Sequence, residues 1–365
     1  MNIAIIIRNK VERIPPIISL AEILAGEKHQ VTVITTGITN GNKMNFKSEG
    51  IKTIVIPYEI TKSAIRKIQY VYLYRKKLSI ELEQGKFDLI WIEGAGTFRT
   101  VLGIIEKYPF VMQISELYDY PEAAPVRKAI SKLIHKAKVV VMPEINRAVL
   151  YQVKYNLLRR PCILTNKPYF YLKEKDMKQI EKKYSKELKV FEEKKVILYQ
   201  GIIAKERNLS NYIKAVKKMD ADYQFVFLGT DYGMIEEYRK IDSNIIHIDF
   251  IPAPEYLIFT SKAYIGLITY DALILNCAYC APNKLYEYGR YGLPMLGNDI
   301  PGLRNTIGYY DAGVIVDECC IESICEGIRK ISENYERYSA NSLRLYEETD
   351  NVEAVRKIIT YCISK

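Results

Sequence analysis

Ala281-Pro282-Asn283-Lys284-Leu285-Tyr286-Glu287-Tyr288-Gly289-Arg290-Tyr291-Gly292-Leu293-Pro294 is the stretch from which the fold can be read. Pro282 suits a position just before a helix start, because its fixed φ is pre-organised for the first turn. Gly292-Leu293-Pro294 ends that helix and passes the chain to an apolar run at 295–297. The amides of Asn283, Lys284 and Leu285 are then expected to point outward at a helix N-terminus, a place suited to a diphosphate. Glu287 follows one turn later on the face of Asn283. A carboxylate there can accept from two vicinal hydroxyls, such as those of a ribose. The competing structural reading is a surface helix whose glutamate offsets Lys284 or Arg290.

Working outward, the same alternation of apolar run and amphipathic stretch fills the chain. Strands are expected at 2–8, 31–36, 53–56, 88–92, 110–114, 139–142 and 162–165, with helices at 14–25, 62–83, 97–107, 125–135 and 144–155 between them. Residues 171–195 are dense in Lys and Glu and read as a surface connection with a helical portion. Strands then resume at 196–200, 224–228, 245–248, 265–269, 295–297 and 314–316, and 351–364 reads as a last amphipathic helix. Continuous apolar runs imply strands buried on both faces, and helical crossovers imply parallel sheets. The expected fold is therefore α/β, with two Rossmann-like doubly wound domains facing a central cleft. The expected division is 1–168, a linker 169–195, a second domain 196–340, and C-terminal helices 341–365 crossing back to the first. Ligands in such folds bind beyond the carboxyl ends of the strands.

A chain of 365 residues exceeds the size of a single core. The opening apolar run is too short for a signal segment, and no stretch reaches the length a membrane span needs. A cytoplasmic protein is expected, free or at the inner membrane face. Seven cysteines, at 162, 277, 280, 319, 320, 325 and 362, form no framework. Reduced thiols and no metal are expected. The formal charge of +10 is uneven. Residues 1–168 carry 26 Lys and Arg against 14 Asp and Glu, and the remainder 27 against 29. The first half thus favours an anionic surface or partner. Within it, 62–77 (Lys62-Ser63-Ala64-Ile65-Arg66-Lys67-Ile68-Gln69-Tyr70-Val71-Tyr72-Leu73-Tyr74-Arg75-Lys76-Lys77) mixes cations with apolar residues. Ile65, Ile68, Tyr72 and Leu73 can share one helical face with Arg66, Arg75, Lys76 and Lys77 around it. Such a helix can lie on an anionic leaflet, or it can pack its apolar side on the sheet.

Leu198-Tyr199-Gln200-Gly201-Ile202-Ile203-Ala204-Lys205-Glu206-Arg207-Asn208-Leu209 forms a strand, a glycine and a basic loop before a helix. Glycine lets a phosphate approach the backbone, and Lys205 and Arg207 can hold its charge. An ordinary turn with two solvated cations is the alternative.

These segments together resemble a known family. Pro282-Asn283-Lys284-Leu285-Tyr286-Glu287-Tyr288, Gly292-Leu293-Pro294 and Asp299-Ile300-Pro301-Gly302-Leu303 are similar to the donor-binding stretch of retaining GT-B glycosyltransferases of family four. Tyr199-Gln200-Gly201 through Arg207 resembles their phosphate loop, and Phe227-Leu228-Gly229 a further strand–glycine turn. Ile114-Ser115-Glu116-Leu117-Tyr118-Asp119-Tyr120-Pro121-Glu122 is similar to their His-Glu-x-Tyr-Pro-Glu segment, and Asn166-Lys167-Pro168 to the Asn-x-Pro that closes their first domain.

The resemblance implies a nucleotide-sugar donor, UDP- or GDP-linked, and a glycan or polyprenyl-linked acceptor, in bacterial surface polysaccharide synthesis. It implies that Glu287 holds the donor ribose and that Arg207 and Lys205 neutralise the departing diphosphate. Backbone at Phe250 and Ile251 would border the base, and Glu116 and Asp119 would meet the acceptor; for these two carboxylates a helix cap or an ion pair is the alternative. Two positions depart from the pattern. Tyr279 stands where the first motif glutamate is expected, so Tyr279 or Asn276 would make a different sugar contact. Ser115 replaces the usual histidine. Altered donor preference and weakened catalysis are both compatible with these changes. His29, His135 and His247 form no catalytic or metal cluster. A nucleotide-sugar 2-epimerase shares the architecture but needs an acid/base set not found in the chain. A non-catalytic basic binding protein is the third alternative, although no nucleic-acid-binding motif is present.

Overall fold

The computed structural model describes residues 1–37, 46–58, 63–169 and 174–363. Lys62, residues 171–173 and Ser364, which fall in expected elements, lie outside the described residues. The chain divides into two compact units, residues 1–169 with 350–365, and residues 170–349.

The first unit is built on seven strands: β1 (Asn2–Ile7), β2 (Gln30–Thr35), β3 (Ile51–Val55), β4 (Leu89–Glu93), β5 (Phe110–Gln113), β6 (Val139–Met142) and β7 (Cys162–Ile163). Their order is β3-β2-β1-β4-β5-β6-β7, and every pair is parallel. The apolar runs explain this sheet. Ile3, Ile5, Leu89, Trp91 and Val111 are fully buried, with helices covering both faces. Val355, Ile358 and Ile359 of the last helix, Asn351–Ile363, complete the same core.

The second unit repeats the scheme with six strands: β8 (Lys195–Gln200), β9 (Tyr223–Leu228), β10 (Ile246–Ile248), β11 (Ile265–Ile268), β12 (Met295–Asn298) and β13 (Gly313–Val316). Their order is β10-β9-β8-β11-β12-β13, again all parallel. Both sheets reverse order beside their first strand, at β1/β4 and at β8/β11, and such switch points are where α/β folds place ligands.

The unit boundaries fall differently from the expected ones. Within the stretch expected as a surface connection with a helical portion lie two helices, Glu174–Lys183 and Ser185–Glu193. The latter buries Leu188 and Phe191 in the second core. The helix Tyr335–Glu348 also belongs to the second unit: a Cβ on Gly289 would sit 2.9 Å from the Ser342 carbonyl oxygen of that helix. The chain rejoins the first unit only from Asp350. Lys and Glu spacing marks a solvated helix face, but it says little about which core the other face enters.

Candidate donor site at the β8/β11 switch point

β8 runs into Gly201, whose φ of +131° suits a residue without a side chain. Gly229 ends the neighbouring β9 at φ +144°, and a Cβ there would lie 2.0 Å from the Gly201 carbonyl oxygen. The two glycines therefore let two strand ends touch. The chain then turns through Ala204, whose carbonyl accepts from the Arg207 N–H at 3.0 Å, and enters the helix Ser210–Lys218. Arg207 folds back over the carboxyl end of β11, its guanidinium 4.5 Å from the Tyr270 ring centre. Burial works against its charge, but the Tyr199 and Tyr270 hydroxyls outweigh that and hold its pKa above the ordinary value. Lys205 is exposed to solvent.

The helix Lys284–Arg290 approaches the same turn. Asn283 has helical dihedrals, and its carbonyl accepts from the N–H groups of Tyr286 (3.0 Å) and Glu287 (3.1 Å). The Leu285 N–H, expected to point outward, instead donates to the Pro282 carbonyl at 3.3 Å. Pro282 opens a tight first turn that consumes this amide. Lys284 packs its Nζ 4.6 Å from the Tyr199 ring centre and 3.1 Å from where a Gly201 Cβ would stand. Burial, reinforced by Arg207, lowers its pKa to about 7.

Glu287 is 6% exposed. One carboxylate oxygen accepts from Gln200 Nε2 and the other from the Tyr256 hydroxyl. Thr260 Oγ1 in turn donates to Gln200 Oε1 at 2.7 Å. Burial raises the Glu287 pKa, against the pull of Tyr256, Lys284 and Gln200. Ile251 lies in the core beneath exposed Phe250. Tyr279 is half-buried and closes the short helix Leu275–Ala278.

The structure thus brings Gly201, Arg207, Lys284 and Glu287 together, while Lys205 is exposed. It adds Gln200, Tyr256, Thr260 and Tyr270, which sequence reading missed. Tyr270 sits just past the expected strand 265–269, so its place at a strand end was available. Nothing distinguishes Tyr256 among 30 tyrosines. A separate cleft of about 320 Å³, lined by Lys186, Glu187, Val190 and residues 246–249, borders edge strand β10 and shares no residue with this cluster.

In the first unit, Glu116 is exposed and pairs with Arg147 at 3.7 Å, while Asp119 is half-buried. Beside them lies a carboxyl that sequence reading missed. Glu93, at the carboxyl end of β4, is 4% exposed. Burial raises its pKa to about 7; the Ser115 hydroxyl opposes this and Glu116 adds to it.

The helix Ala64–Gly85 buries Tyr74, Leu78 and Leu82. Ile65 (71%), Ile68 (71%), Tyr72 (64%) and Leu73 (51%) stay exposed, so the sheet is not what this second apolar face packs on. Arg75 is withdrawn from the basic rim, because its guanidinium donates to the carbonyls of Thr100 (2.6 Å) and Leu102 (2.8 Å).

Two parallel-sheet α/β units, of seven and six strands, are the architecture of the GT-B fold. Residues 180–344, a little under half of the chain, match the family model "Glycosyl transferases group 1", which supports a transferase. No curated protein matches the sequence. Among solved structures, the chain is similar to Anabaena Alr3699/HepE in complex with UDP and glucose, at 12% identity over 100% of both chains and TM-score 0.72. It is similar to WaaG, a glycosyltransferase involved in lipopolysaccharide biosynthesis, at 14% identity over 100% of both chains and TM-score 0.66. It is also similar to the lipopolysaccharide outer core galactosyltransferase WaaB, at 16% identity over 99% of both chains and TM-score 0.64.

Proposed function

We propose that the chain transfers a sugar from a UDP-sugar to a glycan or polyprenyl-linked acceptor, with retention at the anomeric carbon, in the synthesis of a bacterial surface polysaccharide. The observation that carries this is the convergence of Arg207 and Lys284 on the bare Gly201 turn at the β8/β11 switch point. Likeness to proteins crystallised with UDP and UDP-glucose supports the donor, with GDP as the second base. Likeness to lipopolysaccharide enzymes supports the setting.

In this reading the diphosphate rests on Gly201, against Arg207 and the amides of Asn283 and Lys284. The ribose hydroxyls donate to Glu287. Gln200 and Tyr256 orient that carboxylate, and each oxygen keeps a further lone pair. Backbone at Phe250 and Ile251 borders the base, and Tyr279 or Asn276 meets the sugar. When the bond from the anomeric carbon to the diphosphate oxygen breaks, charge grows on the leaving group, and Arg207, assisted from the loop by Lys205, stabilises it. Glu116 and Asp119 meet the acceptor. The exposed apolar face and basic rim of Ala64–Gly85 hold the protein at the inner membrane face; no helix among the described residues is long and apolar enough to cross a membrane.

A panel of nucleotide sugars tests the reading. Release of UDP from a UDP-sugar, lost in Arg207→Ala, is expected. Interconversion of sugars without nucleotide release would instead make the chain an epimerase.

A further inference from the structure

Lys284 Nζ is shut off from solvent and has no hydrogen-bond partner among the described residues, although the residue as a whole is half-buried. It packs directly against the turn that ends β8. The titratable and charged groups that face it are Arg207 from the loop, Tyr199 from β8, Cys280 from the segment before its helix, and Glu287 one turn along. Arg207 repels a second positive charge. Glu287 accepts from Gln200 and Tyr256 rather than from Lys284, and its charge only partly offsets the burial of the amine. In a buried amine held beside a guanidinium, desolvation and the Arg207 charge outweigh the help of Glu287, so the charged form is disfavoured.

We infer that Lys284 is a proton-switched cation of the donor site: largely neutral in mildly alkaline solution while the site is empty, it takes up a proton from solvent as a diphosphate seats on the Gly201 turn. The inference rests on the donor-site reading given above. Its chemistry is a simple protonation, in which the Nζ lone pair binds a solvent proton and no other bond changes. Burial beside Arg207 places the amine's pKa at about 7, and an anion arriving within a few ångströms favours the ammonium again. Donor capture and release are thereby coupled to proton uptake and release.

Calorimetric titration with UDP at pH 8, in two buffers of different ionisation enthalpy, tests this. The terminal phosphate of UDP, with a pKa of about 6, is already ionised there. The wild-type protein is expected to take up roughly half a proton or more per UDP bound, and its Kd is expected to rise by up to about tenfold per pH unit between about pH 7.5 and 9. Lys284→Arg carries a fixed charge and should bind UDP with no uptake and no such pH dependence. Lys284→Met should show neither uptake nor pH dependence, and bind roughly tenfold more weakly at pH 7. UDP binding to the wild type without proton uptake overturns the inference and leaves the donor site standing. Uptake that persists in Lys284→Met also overturns it, assigning the proton to another group such as Cys280. No UDP binding by the wild type removes the donor site itself.

Discussion

Replacing Lys284 by Met should stabilise the ligand-free protein. The ammonium is lowered from an ordinary 10.5 to about 7. At about 1.4 kcal/mol per pH unit, that gap sets a ceiling of about 5 kcal/mol on the cost of burying the charge. Loss of the amine's packing against Tyr199 offsets part of this, leaving an expected gain of about 2 to 4 kcal/mol near pH 7. The sign with pH follows from proton counts. Between about pH 7 and 10.5 the unfolded chain keeps the lysine proton that the folded chain has released, so wild-type stability rises with pH in that window. The methionine variant lacks this rise, and its advantage should shrink by roughly 2 kcal/mol between pH 7 and pH 9. Urea unfolding of both proteins at the two pH values measures it. A variant less stable than wild type at both, or an advantage unchanged by pH, refutes the account of a strained, uncharged amine.

Gly229→Ala should cost about 2 kcal/mol or more, because its Cβ would meet the Gly201 carbonyl oxygen at 2.0 Å with φ at +144°; urea unfolding within about 0.5 kcal/mol of wild type contradicts that contact. Glu93 keeps its proton up to about pH 7 when folded and loses it near 4.5 when unfolded, so stability should fall as pH rises through that interval. Glu93→Gln should therefore leave Tm unchanged at pH 4 and gain about 1 to 3 kcal/mol at pH 8; an equal effect at both pH values goes against the raised pKa. Ile68→Glu with Leu73→Glu should leave stability within about 0.5 kcal/mol, since both side chains are exposed, yet abolish salt-sensitive flotation with anionic liposomes. Flotation unchanged by the pair would discard the membrane face.

How much could be read beforehand depended on the kind of signal. The strands were legible because both faces of a parallel sheet are buried: Ile3 to Ile7 and Val196 to Tyr199 are unbroken apolar runs whose edges moved by only a residue or two. Gly201, Arg207 and Glu287 were legible because each sits at a fixed offset from a strand or helix end. The Leu285 amide was misjudged because the turn after Pro282 tightens. Gln200, Tyr256 and Thr260 were invisible, since a hydrogen-bond chain across three elements far apart in sequence has no sequence spacing. The Lys284 side chain was hidden for the same reason: its amide position follows from the helix start, but the burial of its Nζ follows from Tyr199 and Gly201, more than eighty residues earlier. Glu93 reads in sequence as the polar end of a strand, and only packing against Ser115 and Glu116 makes it unusual.

The central claim is the location of the diphosphate, and a crystal structure of the UDP complex addresses it most directly. The account predicts β-phosphate oxygens beside Gly201 and Arg207, with ribose hydroxyls on Glu287. UDP bound in the β10 cleft, or anywhere away from the β8/β11 strand ends, would contradict it.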